Sequence, residues 1–89
     1  MTRESNIEKY LCTRAKELGG EVRKVRWVGR NGAPDRLVML PNKSVWVELK
    51  ATGKEPEAHQ VREHNRMKLY GLSVEVVDSF ERVDEVLNA

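Results

Sequence analysis

The sequence predicts an α/β fold with a mixed central sheet flanked by helices, and three features lead there. Apolar residues recur at helical spacing in separate stretches, β-type runs lie between them, and glycine or proline marks nearly every boundary. The expected order is helix-strand-strand-strand-helix-strand-helix. Hairpins join the first three strands, and a helical crossover carries the chain to the fourth. With 89 residues, 39% of them apolar, the chain is expected to form a single domain over residues 1–89 around one modest core.

Ser5-Asn6-Ile7-Glu8 is a capping-box pattern, with Thr2 as an alternative start one turn earlier, and Ile7, Leu11, Ala15 and Leu18 form the apolar stripe of the first helix. Gly19-Gly20 ends it. Cys12 is expected at the core or its boundary, and a lone cysteine excludes both an internal disulfide and a multi-cysteine zinc site. Glu21 to Val28 alternates, with Val22, Lys24, Arg26 and Val28 on one side and Arg23, Val25 and Trp27 on the other, as in a strand partly exposed on both faces. Gly29-Arg30-Asn31-Gly32 is a loop. Arg36–Leu40 and Ser44–Lys50 then read as the strands of a hairpin through Pro41-Asn42-Lys43-Ser44. After the loop Ala51-Thr52-Gly53-Lys54, Pro56 at a first helical position opens a second helix. Its expected inward stripe is Ala58, Val61, Asn65, Leu69 and Leu72, and Gly71 stops it. Leu72–Val77 is the fourth strand, and Ser79 caps a last helix bearing Phe80, Val83 and Leu87.

The hairpin carries the chemistry. Pairing Pro41 with Ser44 around an Asn42-Lys43 tip sets Leu37 opposite Glu48 and Asp35 opposite Lys50. Asp35, Glu48 and Lys50 then share one face, while Val45, Val47 and Leu49 face the core. The two carboxylates become diagonal neighbours with Cβ atoms roughly 7 Å apart, a span that one hard cation can close. Charged groups on a strand whose other face is apolar are costly unless they are paired or bound to metal. The alternative is an ordinary surface hairpin with an Asp35–Lys50 ion pair, worth about 0–1 kcal/mol.

Net charge is only +2 but unevenly spread. Arg23, Lys24, Arg26, Arg30 and Arg36 gather just before and at Asp35, whereas Glu75, Asp78, Glu81, Asp84 and Glu85 lie toward the other end. A polyanion would be steered to the basic side; a solvated basic strand face is the alternative. His59 and His64, five apart, project roughly 140° from each other on a helix and are expected at the surface, or facing DNA at most. Gly53-Lys54 is followed by Glu55 where a phosphate-binding loop needs Ser or Thr, so no nucleotide cofactor is expected. No apolar run reaches the length of a membrane span and the first residues lack a signal-peptide core, so a cytoplasmic location and no membrane partner are expected.

The order of elements, together with Pro34-Asp35, Glu48 and Lys50, resembles the PD-(D/E)XK nuclease superfamily, and more narrowly the stand-alone VRR-NUC domains (virus-type replication-repair nucleases) of phages and bacteria. The likeness covers nearly the whole chain: Glu4-Ser5-Asn6-Ile7-Glu8, Gly32-Ala33-Pro34-Asp35-Arg36, Val47-Glu48-Leu49-Lys50-Ala51, Gln60 and Val76-Val77-Asp78-Ser79. It implies a restriction-endonuclease-like core and an endodeoxyribonuclease dependent on Mg²⁺ or Mn²⁺. Asp35 and Glu48 would hold the metal with the backbone carbonyl of Leu49, and Lys50 would orient or deprotonate the attacking water. Glu4 would reach the metal from the first helix, a first-turn residue favoured by the helix dipole being its ordinary alternative. Gln60 would contact the metal's water, Lys50 or the phosphate, a solvent-facing residue being its ordinary alternative. Glu8 is read as the capping-box partner of Ser5. Arg23, Lys24, Arg26, Arg30, Arg36 and Lys54 would contact DNA. The resemblance further implies branched DNA such as a four-way (Holliday) junction, which a chain with one site can cut symmetrically only as a two-fold homodimer. The alternatives are a flap-cleaving or nicking nuclease that needs a partner, and a non-catalytic DNA-binding module. The Asp35/Glu48/Lys50 set weighs against the module, because paired carboxylates repel phosphate when no metal is present.

Overall fold

Helices and strands follow one another in the expected order in a computed structural model that describes residues 1–89. They are α1 (Glu4–Glu17), β1 (Glu21–Lys24), β2 (Arg36–Leu40), β3 (Lys43–Leu49), α2 (Ala58–Leu69), β4 (Val74–Val77) and α3 (Phe80–Asn88). The strands form one mixed sheet in the order β1-β2-β3-β4, antiparallel except for the β3–β4 pair, which is parallel because α2 crosses over between them. No helix is long and apolar enough to cross a membrane.

Alternation along the strands creates a single apolar layer. Val38, Val45, Val47 and Leu49 point to one face and meet Ile7, Leu11 and Ala15 of α1 and Val83, Val86 and Leu87 of α3. Each Val, Leu or Ile among them stabilises the fold by about 1.5–3 kcal/mol when fully buried. Polar contacts tie the two helices: the Tyr10 hydroxyl donates to Asp84 at 2.9 Å, and its ring lies 4.7 Å from that of Phe80. Ser79 caps α3 as expected, its Oγ accepting from the Arg82 N–H at 3.0 Å.

Several details differ from the sequence expectation. Helix α1 starts at Glu4, Arg3 is its N-cap without a side-chain bond, and the Ser5 capping box does not form. Glu8 pairs instead with Arg36, which stands on the core side of β2 beside Val47 and needs a carboxylate there. Strand β1 stops at Lys24; Val25 N–H then bonds the Asp35 carbonyl at 2.9 Å, and Val28 swings out, 99% exposed. Cys12 is exposed, not at the core.

The hairpin turns one residue earlier at its start, Leu40 pairing with Lys43 around a Pro41-Asn42 tip. Proline has no N–H for a ladder bond and suits the first corner of a turn. The resulting two-residue change in register keeps every side chain on its face, but it moves Asp35 from opposite Lys50 to opposite Glu48.

Helix α2 begins at Ala58, after Glu57 as N-cap, and presents the other stripe to the sheet. Glu63, His64 and Met67 are buried, whereas Val61, Leu69 and Leu72 are exposed. The reason lies beneath the helix. The sheet face there carries Glu48, which only polar side chains can accommodate. Gly32, at φ +95°, lets the β1–β2 loop touch this helix, since a Cβ there would stand 2.7 Å from the His59 carbonyl.

Candidate active site

Asp35 immediately precedes β2, and continuing the observed register by one pair sets it across from Glu48 on β3. Such cross-strand neighbours have Cβ atoms about 4.5–5.5 Å apart. Asp35 Oδ1 accepts from the Leu49 N–H at 3.1 Å. Burial raises the Asp35 pKa despite that bond, and the charge of Glu4 adds to the rise. Glu48 is 3% exposed. Its pKa is pushed up to about 7, first by burial and then by the charge of Asp35, while Lys50 Nζ, 3.5 Å from Oε2, opposes the rise. Lys50 therefore leans on Glu48, with Asp35 no longer its cross-strand partner.

Helix α2 closes over this pair. Gln60 Nε2 donates to Glu48 Oε2 at 3.2 Å, and its Oε1 accepts from the Glu57 N–H at 2.8 Å, so the first turn of the helix fixes which end of the amide faces the carboxylate. The ordinary solvent-facing role for Gln60 does not hold. His64 Nε2 stands 3.7 Å from Glu48 Oε1, and neither atom has a hydrogen-bond partner. Burial lowers the His64 pKa from the ordinary histidine value. His64 is thus a buried neighbour of the site, contrary to the surface role expected for it. Its signal was its position four residues after Gln60, on the same helical face.

Glu4 is the first residue of α1 and is exposed. Its end of the helix is drawn toward the site by Thr2, whose N–H donates to Thr52 Oγ1 at 3.2 Å and whose carbonyl accepts from the Thr52 N–H at 3.1 Å. No hydrogen bond joins Glu4 to the carboxylates, but its charge raises the pKa of both.

The basic residues divide. Arg36 is held by Glu8 with its side chain 12% exposed, which removes it from a DNA-facing surface. Arg23 pairs with Glu21 at 2.6 Å and Arg30 with Glu63 at 3.3 Å, both remaining more than half exposed. Lys24, Arg26 and Lys54 are exposed as expected. Arg26, Arg30 and Asn31 line an open cavity of about 500 Å³ in the β1–β2 loop. Glu63, which the sequence reading passed over, accepts from Trp27 Nε1 at 2.8 Å and pairs with Arg66 at 2.8 Å. Trp27 also packs against Trp46 at 5.4 Å, so the loop is pinned to the site side of the sheet.

Two facing carboxylates of raised pKa, one with an unsatisfied buried oxygen, form a donor set for a hard divalent cation, which would offset the cost of ionising both. No trio of His, Cys, Asp and Glu side chains converges. Backbone oxygen such as the expected Leu49 carbonyl, water or substrate phosphate would complete the set.

No protein-family model matches the chain. A solved structure described as a VRR_NUC domain is similar to it with a TM-score of 0.88 and 43% identity, covering 99% of this chain and 97% of that one. The protein named "Putative nuclease p44", of Acyrthosiphon pisum secondary endosymbiont phage 1, is 46% identical over 80 residues, 89% of this chain and 86% of its own length. Likeness of this breadth, on a fold that brings Asp35, Glu48 and Lys50 together, shows that the chain belongs to the VRR_NUC family of nucleases.

Proposed function

We propose that this nuclease is a Mg²⁺- or Mn²⁺-dependent, structure-specific DNA endonuclease that acts as a homodimer on branched DNA such as four-way junctions. The observation that supports it most is the Asp35–Glu48 pair with Lys50 Nζ 3.5 Å from Glu48. Asp35, Glu48 and the Leu49 carbonyl would hold the ion, with Glu4 near enough to contribute charge. When bound, the ion supplies Lewis acidity and neutralises charge developing on the scissile phosphate. Lys50 orients the attacking water and balances phosphate charge. Gln60 holds the Glu48 carboxylate in place. Arg26, Arg30, Lys24, Arg23 and Lys54 hold the flanking phosphates, each contact weakening with salt. A single chain carries one such site, so paired cuts on opposite strands require two chains.

The test is incubation of the purified chain with labelled four-way, flap and linear DNA, with and without Mg²⁺ or Mn²⁺, alongside light scattering. Metal-dependent, junction-selective cutting by a species of twice the 10.3 kDa chain mass is expected. Equal cutting of every substrate, or unpaired nicks by a monomer, overturns the junction and dimer reading. Binding without cleavage in either metal overturns the enzyme reading altogether.

A further inference from the structure

We propose that His64 is a positioning residue for Glu48, donating from Nε2 to Oε1 so that this carboxylate is gripped at both oxygens by one helix. The proposal rests on the metal-nuclease reading above. Gln60 and His64 lie four residues apart on α2, and both reach Glu48: Gln60 Nε2 bonds Oε2 at 3.2 Å, and His64 Nε2 stands 3.7 Å from Oε1. Oε1 and Nε2 are both buried and lack any other partner. Leaving either unsatisfied costs about 1–3 kcal/mol, and each is the complement of the other. A shift of under about 1 Å closes the gap to an ordinary N–H···O distance.

A grip at both ends does what a single bond cannot. With only Oε2 held, the carboxylate can rock about its Cγ–Cδ bond. With Oε1 also held, its plane is set. Each carboxylate oxygen has two lone pairs, so each can accept from α2 and still face a cation shared with Asp35. Groups that orient a metal's ligand in this way are worth about 10–100-fold in metal affinity.

The experiment compares His64→Phe, which keeps a ring of similar size but has no donor, with His64→Gln, which restores an N–H. Mn²⁺ binding to the DNA-free protein is measured by calorimetry, the Mn²⁺ concentration giving half-maximal single-turnover cleavage is measured in parallel, and melts confirm folding. His64→Phe should weaken Mn²⁺ binding about 10–100-fold and raise the half-maximal concentration equally, and His64→Gln should recover most of the loss. Should His64→Phe not fold, His64→Met, donor-free and flexible, takes its place. Equal binding by wild type and the donor-free variant overturns the proposal, as does an equal loss in His64→Gln, which would make packing the cause. If the wild type itself neither binds Mn²⁺ nor cleaves, the metal-nuclease reading fails and this inference falls with it.

Discussion

The two faces of the sheet come from the same strands by simple alternation, yet they are covered in opposite ways. Toward α1 and α3 the buried core is apolar, from Ile7 and Leu11 through Val47 and Leu49 to Val83, the Glu8-paired Arg36 being the exception. Toward α2 the buried groups include the polar Glu48, Glu63 and His64, with Met67 of the helix and Val74 of β4 as the apolar contribution. The first face supplies the burial that holds the chain together. The second accepts a stability cost, since Glu48 ionises there only against burial and the charge of Asp35. The division separates folding from chemistry, so substitutions on the two faces should fail in different ways.

The largest separation is expected for Glu48→Gln. It removes a charge from the cation cage while keeping the shape, so cleavage should fall by at least about 10³-fold, with DNA binding kept or improved. Stability should move the other way. An acid whose folded pKa is raised holds its proton longer in the folded chain, so between its ordinary 4.5 and about 7 wild-type stability falls as pH rises, and it is level above that window. The amide has no such loss. In metal-free melts the variant's advantage should be negligible at pH 4.5 and grow to about 3 kcal/mol by pH 8, and added Mg²⁺ should narrow the gap. Wild-type cutting by a folded Glu48→Gln protein would remove this residue from the site, and a gap independent of pH would mean that Glu48 is not held at a cost.

Lys50→Met is next, with an expected loss of about 10²–10³-fold in single-turnover cleavage at saturating Mg²⁺ and little change in melting. Lys50→Arg should also fail substantially, because the guanidinium is bulkier and never deprotonates. If Lys50→Met melts early yet cuts at the wild-type rate below its melting point, the 3.5 Å contact with Glu48 is a structural ion pair only. The opposite face gives the mirror image. Leu11→Ala, at a fully buried position, should cost about 2–5 kcal/mol while leaving cleavage unchanged at temperatures where the variant stays folded. Chemical denaturation and single-turnover rates check both halves.

How much of this was legible in the sequence follows from which rules are robust. The order of elements and the apolar set Val45, Val47 and Leu49 rest on periodicity, which the structure keeps. Asp35, Glu48 and Lys50 share a face because an even change of register preserves parity; the true partner of Asp35 was hidden, since it depends on which residue begins the turn. Helix α2 presents the face opposite to the one its apolar stripe predicts, for a more instructive reason. Its apolar stripe, taken alone, favours an apolar surface, but Glu48 beneath it selects Gln60 and His64. Local periodicity cannot report what lies across from it. Glu8 and Arg36 were misassigned likewise, each having an ordinary role in sequence and finding the other in space.

The smallest effect tests that reversal of α2. Leu69 belongs to the stripe expected inward and is 78% exposed, whereas Met67, two residues earlier, is 5% exposed. Two residues on a helix differ by about 200° in direction, so only one of them can face the sheet. Leu69→Glu should therefore change stability by no more than about 0.5 kcal/mol. Met67→Glu places an unpaired carboxylate beneath the helix, and a cost several times larger is expected. Both are measured by urea denaturation at a concentration where light scattering gives a single chain, so that no second copy contributes. A large loss from Leu69→Glu with tolerance of Met67→Glu would put the apolar stripe of α2 against the sheet after all. Gln60 and His64 would then point to solvent, and the polar face of the sheet would lose the helix that is taken to hold Glu48.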